Sequence, residues 1–264
     1  MSDVLLKRDG PVAHITLNRP DKGNAFNQSM ADALLAAANA VAHDPAVRVV
    51  VLTGAGRMFC VGGDIGEFAQ NSDRIAGFLA SLAGTLHQAL AQFAAMRKPL
   101  ITLVNGPAAG AGMSLAIAGD IVLACAQAHF TAAYGGIGLT PDGGMTWTLP
   151  RLVGLRKAQD ILITNRRVGA EEAATIGLVT RLVGADELGS AGRELAAQLA
   201  TQAVGALAQA RWLLQTGMSE GFVTHMDREL QTIGAAGEGR EGREGVAAFL
   251  ARRKPDFQGG QNNG

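Results

Sequence analysis

Cysteine is scarce: Cys60 and Cys125 are the only two in 264 residues, too few for a disulfide framework and in no Cys-x-x-Cys or zinc-ligand pattern. They read as two buried thiols. Histidine gives no more, with His14, His43, His87, His129 and His225 placed singly and without regular acidic companions, so no metal is expected. Net charge is missing as well. Lys+Arg and Asp+Glu number 23 each, which leaves no global field to draw the chain to nucleic acid or to an acidic membrane. Gly, Asn or Asp interrupts every apolar stretch well short of the roughly 18 residues of a membrane span, and Met1-Ser2-Asp3-Val4 opens neither a signal nor a transit peptide. These absences predict a cytoplasmic protein whose partner is a small molecule.

What the chain has in quantity is glycine, 35 residues. Two glycine-rich stretches, Cys60-Val61-Gly62-Gly63-Asp64-Ile65 and Val104-Asn105-Gly106-Pro107-Ala108-Ala109-Gly110-Ala111-Gly112-Met113, each follow a β-like run and precede a helix-like one. Either alone is compatible with an ordinary turn. Together they suggest two halves of one oxyanion hole, because small residues let backbone N–H groups approach a ligand oxygen and a helix start adds its positive end. Neither matches a Gly-x-x-x-x-Gly-Lys-Ser/Thr phosphate loop or a Gly-x-Gly-x-x-Gly dinucleotide fingerprint, so nucleotide hydrolysis and hydride transfer recede.

The length allows a full core, and no linker-like break precedes the tail, so one domain with a helical appendage is expected, divided at 1–195 and 196–264. Val4–Arg8 and Val12–Leu17 predict a hairpin around Asp9-Gly10, followed by a helix over Gln28–Ala42 with Asn27 as its N-cap. Val47–Thr53, Leu100–Val104 and Ile121–Ala124 predict strands. Ile75–Met96 and Gly110–Ala118 predict helices, with Gly54–Gly66 as loop. Short strands alternating with helices predict an α/β chain with right-handed crossovers. From Leu155 onward helices dominate, with only Leu178–Val183 strand-like. Arg240–Lys254 is amphipathic through Val246, Phe249 and Leu250, and Gly259–Gly264 is expected to fray.

The chain resembles the crotonase, or enoyl-CoA hydratase/isomerase, family over nearly its whole length. The resemblance is carried by Leu17-Asn18-Arg19-Pro20 with Asn24-Ala25-Phe26-Asn27, then Phe59 to Ile65, Val104-Asn105-Gly106, Gly138-Leu139-Thr140-Pro141-Asp142, and Arg243-Glu244-Gly245-Val246-Ala247-Ala248-Phe249-Leu250. It implies a spiral of ββα units followed by a helical C-terminal region, assembled as trimers or dimers of trimers. It also implies an acyl-CoA thioester as ligand, with coenzyme A as part of the substrate and no permanently bound cofactor. By the same resemblance the oxyanion-hole donors fall on the N–H groups of Gly63 and Ala111, the second a departure from the usual glycine. The coenzyme A side is implied to lie along Lys22, Gly23, Asn24 and Ala25 and along Val61, Gly62, Asp64 and Ile65. Asp64 has a second reading, as an acceptor for loop backbone N–H groups.

At the two positions where the family's hydratases carry water-holding glutamates, this chain has Ser114 and Tyr134. Neither is a useful base near neutral pH. One carboxylate remains in that region, Asp142, in a Pro-Asp-Gly segment that alone would read as a turn. The run Pro141-Asp142-Gly143-Gly144-Met145-Thr146-Trp147-Thr148-Leu149-Pro150 resembles the bacterial phenylacetyl-CoA ring-epoxide isomerases, in which an aspartate at this position stands beside the reactive carbons. Three readings stay open: an enoyl-CoA or ring-epoxide isomerase with Asp142 as acid/base, a hydratase with unusual residues, and a silent acyl-CoA binder.

Overall fold

The computed structural model describes residues 2–259. The expected fraying of the C-terminal end therefore lies, past Gly259, outside the described residues. Strands β1 (Val4–Asp9) and β2 (Val12–Leu17) form the expected hairpin, with Asp9 opposite Val12 and Gly10 at φ +53° in the turn. Helix α1 (Gln28–His43) starts where Asn27 accepts the Met30 N–H at 2.9 Å, a cap worth about 1 kcal/mol. Its Met30, Leu34, Ala38 and Val41 are buried at helical spacing against Leu82, Leu86, Ala89 and Phe93 of the long helix over Ile75–Ala95.

The spiral follows from what comes after each long strand. β3 (Val49–Gly54) is followed by the glycine segment at 60–63 and helices α2 (Ile65–Gln70) and α3 (Ile75–Ala95). β4 (Leu100–Val104) is followed by β5 (Ala108–Ala109) and α4 (Ala111–Ala116), and β6 (Ile121–Cys125) by β7 (His129–Thr131). The remaining elements are α5 (Met145–Val153), α6 (Leu155–Thr164), β8 (Val168–Gly169), α7 (Ala170–Thr175), β9 (Arg181–Val183), α8 (Leu188–Ala200), α9 (Val204–Gly217), α10 (Phe222–Glu238) and α11 (Arg240–Leu250). The six-stranded sheet runs β1-β2-β3-β4-β6-β9 and is parallel beyond the hairpin. A second sheet, β5-β7-β8, is extended by single parallel bridges from Cys60 to Ala108 and from Phe26 to Gly63. Each long strand thus sends its chain into a short second-layer strand before the next helix, which is the ββα repeat.

The second layer differs from the expectation, which held no strands at 108–109, 129–131 or 168–169. Segments of two or three residues are too short to show alternation, and only their partners make them strands. Strand β9 is likewise shorter than the expected Leu178–Val183, α4 shorter than Gly110–Ala118, and α2 begins inside the expected Gly54–Gly66 loop. Successive layers approach backbone to backbone. A Cβ on Gly106 would meet the Arg57 carbonyl oxygen and one on Gly112 that of Cys60, so no larger residue fits without a shift. Two cations close the helix ends: the buried Lys98 Nζ donates to the Val41 and Asp44 carbonyls at 2.5 and 2.6 Å, and the half-buried Arg211 donates to those of Phe93, Ala94 and Met96.

Candidate active site

The second layer delivers the two glycine stretches to one place. Phe26 N–H donates to the Gly62 carbonyl at 2.7 Å, and Asp64 N–H to the Phe26 carbonyl at 2.8 Å. Amide directions alternate along an extended segment, so the N–H of Gly63 turns to the opposite side, where a cavity of about 440 Å³ lies. Ala111 is the first residue of α4, so its N–H has no intrahelical partner, and it lines the same cavity. The positive φ here falls on Gly110, at +52°, and not on Ala111, so the extra methyl group brings no backbone strain. Ala109 N–H donates to the Cys60 carbonyl at 2.9 Å, which joins the two stretches directly.

Asp142 lines the same cavity, together with Tyr134. The two are joined: Tyr134 Oη donates to Asp142 Oδ1 at 2.5 Å. Ser114 Oγ donates to the Asp142 carbonyl at 2.9 Å, and the next N–H, of Gly143, donates to His87 Nε2 on α3 at 2.9 Å. Burial, then the charge of Asp142 and the hydrogen bond to it, raise the Tyr134 pKa above the ordinary phenol value, so the phenol keeps its proton and serves as donor. By sequence, Ser114 and Tyr134 stand at positions emptied of carboxylates. In the structure they are joined to the carboxylate that remains, and His87 joins them from 56 residues away in sequence. Apart from Thr140 the remaining side chains of the cavity are apolar, among them Phe26, Phe68, Leu82 and Leu86. Cys60, which opens the first stretch, is fully buried and its thiol is pushed up to about 12 by desolvation, which makes it inert.

The sequence profile of the enoyl-CoA hydratase/isomerase family matches residues 7–261. The chain belongs to that family. Among proteins similar to this crotonase-family chain is the 1,2-epoxyphenylacetyl-CoA isomerase of Escherichia coli, 36% identical over 98% of this chain and 99% of its own. The 2,3-dehydroadipyl-CoA hydratase of the same organism is 34% identical over 98% and 100%. The crystal structure of an enoyl-CoA hydratase from a Polaromonas species superposes with a TM-score of 0.92 at 32% identity, covering 96% of this chain and 98% of that one. The relatives thus include both isomerases and hydratases of acyl-CoA thioesters, and the chain is an enzyme of that acyl-CoA class.

Within this family frame, the residues expected on the coenzyme A side separate into two groups. Val61, Gly62 and Ile65 line the cavity beside Gly63. The segment Lys22–Ala25 does not line it. Asn24 is fully buried, with its side chain donating to the carbonyls of Ala55, Met58 and Phe59 and accepting from Arg19 N–H, so that side chain is not available to a ligand. Ala25 is 5% exposed and gives its carbonyl to Arg19 Nη1. Gly23 uses its carbonyl for Val61 N–H, and Lys22 is exposed. Asp64 is also occupied: it accepts the Gly66 N–H at 3.1 Å as the N-cap of α2 and pairs with Arg19 at 3.1 Å. Its carboxylate therefore braces the loop that carries Gly63.

Proposed function

We propose that this chain isomerises acyl-CoA thioesters through an enolate held by the N–H groups of Gly63 and Ala111, with Asp142 as the proton shuttle. The observation that carries the reading is that Asp142 is the one carboxylate among the described residues lining the cavity. Hydration needs two groups to place and activate a water, whereas moving a double bond needs one. Asp142 takes a proton from C2 of a 3-enoyl thioester, the electrons move onto the thioester oxygen, and the same carboxyl returns the proton at C4. The double bond shifts and no atom is added or lost. Each N–H contributes roughly 2.7–4 kcal/mol to stabilising the developing oxyanion. For a ring epoxide the same aspartate assists opening and rearrangement. The likeness to the 1,2-epoxyphenylacetyl-CoA isomerase of Escherichia coli supports this direction, with the coenzyme A portion running past Val61–Ile65 towards the exposed Lys22.

The reading is tested by offering 3-enoyl, 2-enoyl and ring-epoxide CoA thioesters in parallel. Isomerised product from the first or third is expected, with slow or absent hydration of the second. A 3-hydroxyacyl product formed from the 2-enoyl thioester at a rate competing with isomerisation overturns the reading.

The same proposal includes a trimer-based assembly through residues 196–264. Helix α10 buries no side chain and exposes Phe222, Leu230 and Ile233 at 77, 70 and 72%, and α11 exposes Val246, Phe249 and Leu250. Covering each such group stabilises by about 1.5–3 kcal/mol. Truncation after Gly239 is expected to weaken assembly and turnover together. Light scattering that finds a fully active monomer, with or without the truncation, rejects the assembly.

A further inference from the structure

We infer that Tyr134 and Ser114 are positioning residues that clamp Asp142, so that a single carboxylate oxygen, Oδ2, is left to carry the proton. The inference rests on the isomerase reading and adds to it how one carboxylate serves two carbons. Tyr134 Oη occupies Oδ1 at 2.5 Å, Ser114 Oγ holds the Asp142 carbonyl at 2.9 Å, and His87 Nε2 holds the next N–H at 2.9 Å. The carboxylate is thereby fixed at its head and on both sides of its backbone. The elements that aim the clamp are themselves constrained. Ala133, just before Tyr134, stands at φ +66° with its N–H on Asn165 Oδ1 at 2.7 Å, a conformation an alanine keeps only where its surroundings over-determine it. Ser114 is 2% and Tyr134 8% exposed, so neither is free to turn towards water instead.

The chemical consequence is specific. A carboxylate offers two equivalent oxygens and about four lone-pair sites; with Oδ1 taken by the phenol, abstraction at C2 and return at C4 pass through the same atom. The proton then stays on one face of the planar enolate and is shielded from exchange with solvent while it is held. Removing the phenol frees the carboxyl to rotate and presents both oxygens to water.

Tyr134 is the only tyrosine in the chain, so phenolate absorbance in an alkaline titration reports it alone. In the wild-type protein that absorbance is expected to appear only far above the ordinary phenol range, and in Asp142→Asn, which removes the adjacent negative charge, at a lower pH. Phenolate absorbance that appears in the wild-type protein before its alkaline unfolding, and no earlier in Asp142→Asn, overturns the clamp. The kinetic arm uses Tyr134→Phe with 3-hexenoyl-CoA deuterated at C2. Expected are a kcat lower by on the order of 10²-fold, the scale for misplacing a reacting group by about an ångström, unchanged KM and hexanoyl-CoA affinity, and loss of deuterium transfer to C4. Wild-type kcat and wild-type transfer in Tyr134→Phe overturn the clamp while an inactive Asp142→Asn leaves the isomerase reading standing. If the wild-type protein isomerises no thioester, that reading fails and the titration alone judges the clamp.

Discussion

The cavity meets two kinds of wall, backbone from Val61–Gly63 and Gly110–Ala111, and side chains, Tyr134 and Asp142, steadied by Ser114 and His87. The backbone wall is fixed by what cannot be there. A Cβ on Gly63 would run into the Phe68 ring, and one on Gly112 into the Cys60 carbonyl. The side-chain wall is fixed by hydrogen bonds between residues 8, 28 and 56 positions apart. It follows that the two walls should fail differently: the first by losing the fold and the site together, the second by losing chemistry while the fold and thioester binding survive.

The largest expected effect tests the side-chain wall. Asp142→Asn is nearly isosteric and still accepts the Ser114 hydroxyl through its backbone carbonyl, but it has no basic oxygen. Turnover of any isomerised thioester is expected to fall by about 10²–10⁴-fold, roughly 3–5 kcal/mol of barrier, with affinity for a saturated acyl-CoA and the unfolding midpoint little changed. Steady-state kinetics beside titration calorimetry measure both, and wild-type turnover in the variant removes Asp142 from the mechanism.

The backbone wall is tested at Gly112. An alanine there sets its Cβ against the Cys60 carbonyl oxygen, with the carbonyl carbon at 2.7 Å and Cys60 Cβ at 2.8 Å. Those atoms belong to the packed second layer and give way only if the layer shifts. A loss of about 1–3 kcal/mol of stability is expected, together with loss of thioester affinity, since any shift moves Ala111 relative to Gly63. A denaturant titration that returns the wild-type midpoint shows the close approach to be absent in solution.

The same contrast explains what the sequence conveyed. Glycine marks close approach directly, so Gly63 and the 106–112 stretch were readable from composition and from the strand-like runs before them. The long strands and α1, with its Asn27 cap, were readable from apolar periodicity. Strands β5, β7 and β8 were not, because two or three residues carry no period and their hydrogen-bond partners lie in other repeats. Nor was the clamp: nothing in Ser114, His87 and Tyr134 taken singly points to Asp142. The burial of the Asn24 side chain was not readable for a related reason. A buried side chain satisfying four backbone groups carries the same letter as an exposed one that greets a ligand.

The smallest expected effect lies where the two kinds of wall meet. Ala133 has the positive φ that the backbone wall gives to glycine, yet it leads into Tyr134 of the side-chain wall. A left-handed conformation costs an L-residue roughly 1–2 kcal/mol, and glycine escapes that cost but loses about 0.5–1 kcal/mol more conformational freedom on folding than alanine. Ala133→Gly is therefore expected to stabilise the chain by no more than about 1 kcal/mol. Turnover should stay within about twofold, because Asn165 and Asp142 still fix the backbone and the phenol on either side of residue 133. Thermal unfolding and kcat measured on the same preparation decide it. Clear destabilisation would mean that Ala133 does not hold the left-handed conformation in solution, and a large loss of turnover at unchanged stability would mean that the alanine methyl group, which lines the cavity, itself helps to seat the acyl group.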